Sequence, residues 1–330
     1  MKAFQHLFVL VCFTVTSSVG YAKAIQGMSF AHQDWEIYCS NTGTCRAAGY
    51  QDERIENMPA SLLIIRKAGE KQAVQMRFAL SEYDQALDKK NLKNIHFYVN
   101  AKDLGAVTVD GSESPLLGVL NTAQVNGLLQ QAQKNVNIVF KNAHYSWKIS
   151  DAGMTASLLK MDDFQKRVGT VGALVKKGTA DESNVLVAQP KLMLRKIKTA
   201  SKPYLVLKPD TKPYKALYAT LMAAQPKLQD GHGFCEGIYT GNGVQAQKIE
   251  LYKLSNQKVL ATTLCWRGAY NEGFGAWVID GSLKGKATFV TESASDFDEG
   301  DISSSQKGRG IGDCWSMSEW IWDGKRSFRA

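Results

Sequence analysis

Apolar and polar residues alternate over short runs through most of the chain, which is the pattern of half-buried β-strands. Residues 29–50 predict two strands around the polar turn Ser40-Asn41-Thr42-Gly43. Further strand-like runs lie at 61–66, 73–80, 95–99, 106–109, 136–140 and 145–149. From 245 to 328 nearly all segments are short, alternating and interrupted by glycine, which predicts a second region rich in β-structure.

Two segments of the first half have helical periodicity instead. Residues 121–133 place apolar side chains at helical spacing behind Asn121, a residue type that caps helices. Residues 154–167 do the same behind Ser150 and Asp151, either of which can act as the cap. The predicted fold class is therefore α+β: an N-terminal antiparallel sheet with two helices, followed by a mainly β C-terminal domain.

Changes in composition along the chain predict where its domains begin and end. We expect a signal peptide at 1–24, an α+β domain at 25–178, a basic proline-containing connector at 179–213 and a mainly β domain at 214–330. From 191 to 215 the chain has eight cations against one acid, Asp210. A solvated connector explains this charge, and an arm that grips a polyanion is the alternative.

The first 24 residues have the features of a cleavable export signal. An apolar run from Leu7 to Val15 follows Lys2, and Ala22-Lys23-Ala24 supplies the small residues of a cleavage site. The run is too short to span a bilayer, and no second long apolar run follows it. We therefore expect a periplasmic protein without a transmembrane anchor.

The formal net charge of +9 favours anionic partners, so we expect an anionic envelope component or another exported protein. A solubilising charge without a specific partner explains the same number. Nucleic acid is not expected, because the cations are scattered and no recognised binding motif accompanies them.

Cys39 and Cys45 flank the predicted turn, and a disulfide-closed hairpin is the expected product. A metal site is the alternative, but it needs more ligands at suitable spacing, and only His32 lies nearby. The sequence therefore predicts no metal site. It also contains no motif for a cofactor.

Glycines and aromatic residues are interleaved in two segments of the second region, 265–275 and 307–315. Side chains of this kind among glycines suit contacts with a planar or sugar ligand. The alternative is that the glycines allow tight turns while the aromatic residues fill a small core. The candidate ligand contacts are Trp266, Arg267, Tyr270, Asn271, Arg309, Asp313 and Trp315.

An acidic cluster extends from Glu292 to Asp301. Calcium binding is one interpretation, but the closing glutamate of a helix-loop-helix site is absent, and a solvated acidic loop is the other. Hydrolase motifs of the His-Glu-x-x-His and Gly-x-Ser-x-Gly types are also absent. No catalytic residue is predicted from the sequence.

The chain resembles the exported bacterial family known as domain of unknown function 1176. Five motifs carry the resemblance: Asp34-Trp35 with Cys39, Thr44 to Tyr50, Met161 to Arg167, Cys265 to Asn271, and Gly308 to Cys314. The first half also resembles, more weakly, the invasion-associated locus B proteins, through a Trp-x3-Cys opening. The family implies export and fold but brings no established activity.

The chain departs from the family at its end, because members usually continue with another strand and a further cysteine. The resemblance then implies that Cys314 is unpaired and that Cys235 and Cys265 are bridged, although three cysteines allow three pairings. It also implies an uncovered sheet edge near Trp320 and Trp322.

Two functions are therefore weighed. The first is a non-enzymatic periplasmic protein that binds an envelope component or an exported partner. The second is a hydrolase of cell-envelope polymer or glycan, with carboxylates brought together by the fold. A deep cleft with two close, buried carboxylates would favour the hydrolase.

Overall fold

The computed structural model describes residues 25–54, 58–83, 87–110, 115–131, 135–191, 193–227, 235, 238–240, 243–324 and 327–329. The predicted signal peptide lies outside the described residues. Of the residues described, 41% are in strands and 13% in helices.

The strands of the first half are β1 (Met28–His32), β2 (Trp35–Cys39), β3 (Cys45–Tyr50), β4 (Ala60–Arg66), β5 (Val74–Leu80), β6 (His96–Val99), β7 (Lys102–Ala106), β8 (Val109–Asp110), β9 (Leu116–Val119), β10 (Ile138–Lys141) and β11 (Ser146–Ile149). A seven-stranded antiparallel sheet has the order β1-β2-β3-β4-β5-β9-β8, and a four-stranded sheet has the order β11-β10-β6-β7. Their apolar faces enclose one core, as the alternating pattern of β2 and β3 requires.

Two helices complete this half. Helix α1 (Thr122–Leu129) begins at Asn121, whose side chain accepts a hydrogen bond from the backbone of Gln124 in a capping box. Helix α2 (Met154–Phe164) packs on β1, β2 and β3. Only glycine fits at position 153, at the start of this helix, because a Cβ atom there would lie 1.9 Å from the His32 carbonyl oxygen.

The predicted α+β class is wrong, because the chain is mostly β. The two predicted helices exist, but they are only 8 and 11 residues long, and the sheets supply most of the core. Helical spacing identifies a helix without showing how little of the core it fills. The predicted caps of α2 are also wrong: Ser150 donates to Asp34, and Asp151 accepts from the backbone of Val136.

The second half contains β12 (Leu205–Leu207), β13 (Ile238–Thr240), β14 (Gly243–Gln245), β15 (Ile249–Lys253), β16 (Lys258–Arg267), β17 (Glu272–Asp280), β18 (Thr288–Ala294), β19 (Asp296–Asp298), β20 (Asp301–Lys307), β21 (Trp315–Trp322) and β22 (Ser327–Arg329). They form sheets in the orders β12-β15-β16-β17-β18, β13-β14 and β19-β20-β21-β22. Helix α3 (Lys212–Ala224) packs against the five-stranded sheet, with Leu217 and Leu221 buried. The core clusters of this half share no residue with that of the first half.

The edge near Trp320 and Trp322 is not uncovered, contrary to expectation. Strand β22 pairs with both residues, and their side chains are buried. The short segment after Gly324 therefore protects this edge.

The chain crosses between the halves within residues 190–196. Gln189 donates its backbone N–H to Thr42, so the chain still lies on the first half there. Ile197 donates to the Trp322 carbonyl of the second half. Below, the first half means residues 25–189 and the second half residues 196–329.

The basic connector and the acidic cluster neutralise part of each other's charge. Lys196 pairs with Asp301, and Lys198 lies 2.9 Å from Glu299. No cluster of His, Cys, Asp and Glu suited to a metal ion occurs among the described residues. Pairing with lysine therefore accounts for two acids that the calcium interpretation would have used.

Each half has one cysteine pair at disulfide distance. Cys39 and Cys45 are opposite each other in the β2–β3 hairpin, and Cys235 bonds to Cys265 of β16. Cys314 is the free cysteine of the described residues.

Candidate functional site

A groove lies where the two halves meet. It consists of two adjoining cavities of about 660 and 500 Å³, which share Glu53, Gly308 and Arg309. The first cavity is lined by Glu53, Ser81, Glu82, Tyr83, Tyr270, Gly308, Arg309, Gly310 and Ile311. The second is lined by Gln33, Asp34, Glu36, Tyr50, Gln51, Glu53, Arg54, Gly308, Arg309 and Cys314.

Arg309 lines both cavities and joins the halves. Its guanidinium lies 4.7 Å from the centre of the Tyr50 ring, within the range of a cation–π contact. Its Nη2 donates to Gln51 Oε1 at 2.7 Å. The side chain is only 15% exposed, so this residue of the second half is largely enclosed by the first.

Asp313 supplies the counter-charge behind Arg309. Its side chain is fully buried, and its nearest described cation is Arg309, whose Nε lies 3.6 Å from Oδ1. Neither carboxylate oxygen of Asp313 has a hydrogen-bond partner in the described structure. The pair therefore holds a buried charge whose compensation depends on one arginine.

Gln51 extends this contact to the far end of the groove. Its Nε2 donates to the Tyr83 hydroxyl at 3.1 Å, and its Oε1 also accepts from the Ala60 backbone. Gln51 is itself buried, so the positions of Arg309 and Tyr83 are coupled through a fixed amide.

Tyr50, Glu36 and Cys314 form a second contact between the halves. The Tyr50 hydroxyl bonds to the Glu36 carboxylate and lies 3.2 Å from Cys314 Sγ, and the thiol donates to Glu36 at 3.8 Å. Burial raises the pKa of Cys314, against the lowering effect of the Tyr50 hydrogen bond. Burial also raises the pKa of Tyr50. Both groups therefore keep their protons at neutral pH, and Cys314 is not an activated nucleophile.

Asn271 positions the loop that carries Arg309. Its side chain donates to the Lys307 carbonyl at 2.8 Å and accepts from the Lys307 N–H at 2.9 Å. These two hydrogen bonds join the turn between β16 and β17 to the end of β20. Tyr270 in the same turn stays half exposed and lines the first cavity.

The seven candidate contacts predicted from sequence divide into three groups. Arg309 and Tyr270 line the groove, while Asp313 and Asn271 support it from behind. The other three do not line either cavity. Trp266 bonds to the Glu292 carbonyl and covers Gly273, Arg267 pairs with Glu272 at the surface, and Trp315 bonds to the Gly312 carbonyl.

Sequence reasoning missed the contribution of the first half. Gln51, Glu53 and Tyr83 lie just after strands β3 and β5, and no motif distinguished them. The available signal was the motif that ends at Tyr50. Its glycine is explained by packing, because a Cβ atom at Gly49 would overlap the Trp35 ring.

The motif Met161 to Arg167 belongs to a buried ionic cluster away from the groove. Arg66 lies 3.7 Å from both Asp162 and Glu182, and Arg167 pairs with Glu182. Gln165 donates to the carbonyls of Gly43 and Arg66. Desolvation is the main cause that lowers the pKa of Arg66, to about 10.

Asp162 fixes the segment after α2, because one carboxylate oxygen accepts from the backbone of Leu174 and Val175. The two arginines, the two acids and Gln165 together therefore anchor helix α2, the disulfide hairpin and the chain beyond. The motif Met161 to Arg167 therefore has a role in holding the fold together.

A family model described as Protein of unknown function (DUF1176) matches residues 29–330. Among curated proteins, the chain is similar to "Uncharacterized protein YpfG" of Escherichia coli (strain K12), with 25% identity over 340 residues, covering 97% of this chain and 91% of that protein. No solved structure matches the chain significantly. The likeness of the first half to the locus B proteins stays a prediction.

Within the described part of the chain, no helix has both the length and the apolar character needed to cross a membrane.

Proposed function

This chain belongs to the family described as Protein of unknown function (DUF1176), and we propose that it is an exported binding protein that holds a sugar-containing envelope component in the groove between its halves. The observation that carries this proposal is the pair Tyr83 and Tyr270. They come from opposite halves, line one cavity and are 58% and 50% exposed.

Exposed tyrosines in a cavity suit a sugar ring. A tyrosine offers a large apolar face for the C–H groups of the ring and a hydroxyl for its polar edge. Glu53, Glu82 and Arg309 lie in the same cavity and supply charged hydrogen-bonding groups. A cavity of about 660 Å³ is within the usual size range of small-ligand sites.

The charge of the groove favours hydroxyl or amine donors over anions. Its lining includes the carboxylates of Asp34, Glu36, Glu53 and Glu82. The two arginines of the lining are already engaged, Arg54 with Asp52 and Asp34, and Arg309 with Asp313. We therefore place a neutral or amine-bearing glycan in the groove, and any anionic partner elsewhere on the protein.

Binding is preferred to hydrolysis because of where the buried carboxylates lie. Asp162 and Glu182 are both buried and both contact Arg66, outside the groove. No observation in the described structure places such a pair against the groove. The hydrolase alternative therefore has no specific support.

Export is part of the proposal. The signal sequence predicted at 1–24 lies outside the described residues. Two cysteine pairs at disulfide distance suit an oxidising compartment such as the periplasm.

Calorimetric titration of the exported chain with a neutral N-acetylglucosamine oligomer, and with its amine-bearing de-N-acetylated form, tests the proposal. Tyr83→Ala and Tyr270→Ala should each weaken binding about two- to tenfold, the value of one aromatic contact. Tyr204→Ala is the matched control, because Tyr204 is 44% exposed but does not line the groove.

Binding that neither groove variant weakens would contradict the proposal, as would failure to bind any envelope glycan. Cleavage of the glycan during the titration, abolished by Glu53→Gln, would support the hydrolase instead.

A further inference from the structure

A second surface lies on edge strand β12, outside the groove. Two large side chains of the strand are exposed, Leu205 at 40% and Val206 at 42%, and so is Tyr204, at 44%, which directly precedes the strand. Strand β12 is the edge of the five-stranded sheet and pairs with β15. A run of exposed apolar residues on a sheet edge marks an interaction site or an aggregation hazard.

Lysines lie at both ends of this strand. Lys202 precedes it, Lys208 follows it, and Lys212 begins helix α3; all three are exposed. None of the three is in an ion pair within the described structure. We call Lys202, Tyr204, Leu205, Val206, Lys208 and Lys212 the β12 surface.

Neighbouring acids do not cancel this charge. Glu250, opposite Val206 on β15, accepts from Lys248 at 2.5 Å and from Tyr252 at 3.0 Å. Asp210 is a single exposed acid among the lysines. The ammonium of Lys253 adds a further cation, 5.3 Å from the centre of the Tyr204 ring.

We propose that the β12 surface docks the protein on an anionic lipid surface. A soluble polyanion would use the lysines and leave the apolar strand in water. A lipid surface uses both, because lysines pair with anionic headgroups while apolar side chains and a tyrosine ring enter the interface. Leu205 and Val206 leave opposite faces of this edge strand, so both reach a lipid interface that the strand approaches by its edge, with lysines at either end. This combination favours a membrane as the partner.

Co-sedimentation with vesicles tests this. The exported chain should bind phosphatidylcholine vesicles that contain about one third phosphatidylglycerol, and bind pure phosphatidylcholine vesicles weakly. Lys208→Glu/Lys212→Glu should lower the partition coefficient at least about 25-fold, since each cation contributes about fivefold. Leu205→Ser/Val206→Ser should lower it about tenfold at unchanged charge.

Two controls separate this surface from the rest of the molecule. Lys284→Glu/Lys286→Glu makes the same charge change at exposed residues of the β17–β18 turn and should have a much smaller effect. Tyr83→Ala/Tyr270→Ala should leave vesicle binding unchanged, so failure of the groove proposal and failure of this one are distinguishable. Circular dichroism and urea unfolding check that each variant is folded.

Three results would overturn the proposal. The first is equal binding to neutral and anionic vesicles. The second is binding to soluble polyphosphate that matches vesicle binding and is unaffected by Leu205→Ser/Val206→Ser. The third is concentration-dependent dimerisation through β12, seen by sedimentation velocity, without vesicle binding.

Discussion

Arg309 is the residue on which the geometry of the groove depends most. It stacks on Tyr50, donates to Gln51 and lies beside the buried carboxylate of Asp313. A lysine could supply the charge but not the planar fork that makes these contacts together. The groove therefore depends on an arginine at this position for shape as well as charge.

Replacing Arg309 with methionine should be strongly destabilising. The methionine keeps an apolar stem but leaves Asp313 as a buried, uncompensated charge, which costs about 3–5 kcal/mol in comparable cases. Arg309→Met/Asp313→Asn should recover much of that loss. Urea unfolding of the two variants measures both free energies.

Arg267→Met is the matched control, because Arg267 forms an exposed pair with Glu272. Exposed pairs contribute about 0–1 kcal/mol. Equal losses for Arg267→Met and Arg309→Met would show that Asp313 does not depend on Arg309.

Asp162 should give the stability of the first half a dependence on pH. Desolvation raises the pKa of Asp162, against its N–H donors and Arg66, which lower it. A carboxyl with a higher pKa in the folded state binds its proton more tightly there, so protonation stabilises the fold. The free energy of unfolding relative to Asp162→Asn should be greatest below 3.8, the ordinary pKa, and should fall as the pH rises through the folded-state value.

Urea unfolding of wild type and Asp162→Asn between about pH 3 and pH 7 checks this difference. Asn at this position keeps an oxygen for the N–H groups of Leu174 and Val175. A difference that increases with pH would mean that the ionised carboxylate is the stabilising form.

At the scale of elements, the sequence predicted those helices and hairpins whose caps and turns lie within a few residues of each other. The capping box at Asn121 and the hairpin between Cys39 and Cys45 are both formed. The predicted fold class was wrong because helical periodicity is clear even in short helices, whereas the sheets contain most of the regular structure. The pairing of Lys196 with Asp301 spans 105 residues and leaves no spacing in sequence.

Asn271 shows how a turn can control the groove from outside it. Asn271→Ala removes both side-chain bonds to Lys307, which should cost about 1–3 kcal/mol in unfolding free energy. Because Lys307 directly precedes the loop that carries Arg309, ligand binding should weaken as well. Urea unfolding and calorimetric titration measure the two effects. Asn256→Ala, at an exposed turn between β15 and β16, should change neither.

For the whole molecule, the groove exists only because two separately cored halves meet. Arg309 and Tyr270 come from one half, and Glu53 and Tyr83 from the other. The sequence identified Arg309 and Tyr270 as candidate ligand contacts, because they lie among glycines. It did not identify the residues of the first half that complete the groove. The relative placement of the halves depends on contacts such as Arg309 with Gln51, which are 258 residues apart.

The two halves should unfold separately, because their cores share no residue and each has its own disulfide. The Cys39–Cys45 bridge spans 6 residues and the Cys235–Cys265 bridge spans 30. In the chain-entropy model a longer loop gives more stabilisation, about 2–3 kcal/mol for the first and about 3–4 kcal/mol for the second. Calorimetry should therefore resolve two transitions, with Cys39→Ser/Cys45→Ser lowering one and Cys235→Ser/Cys265→Ser lowering the other by more. A single transition that both variants lower equally would mean that the groove contacts couple the halves into one cooperative unit.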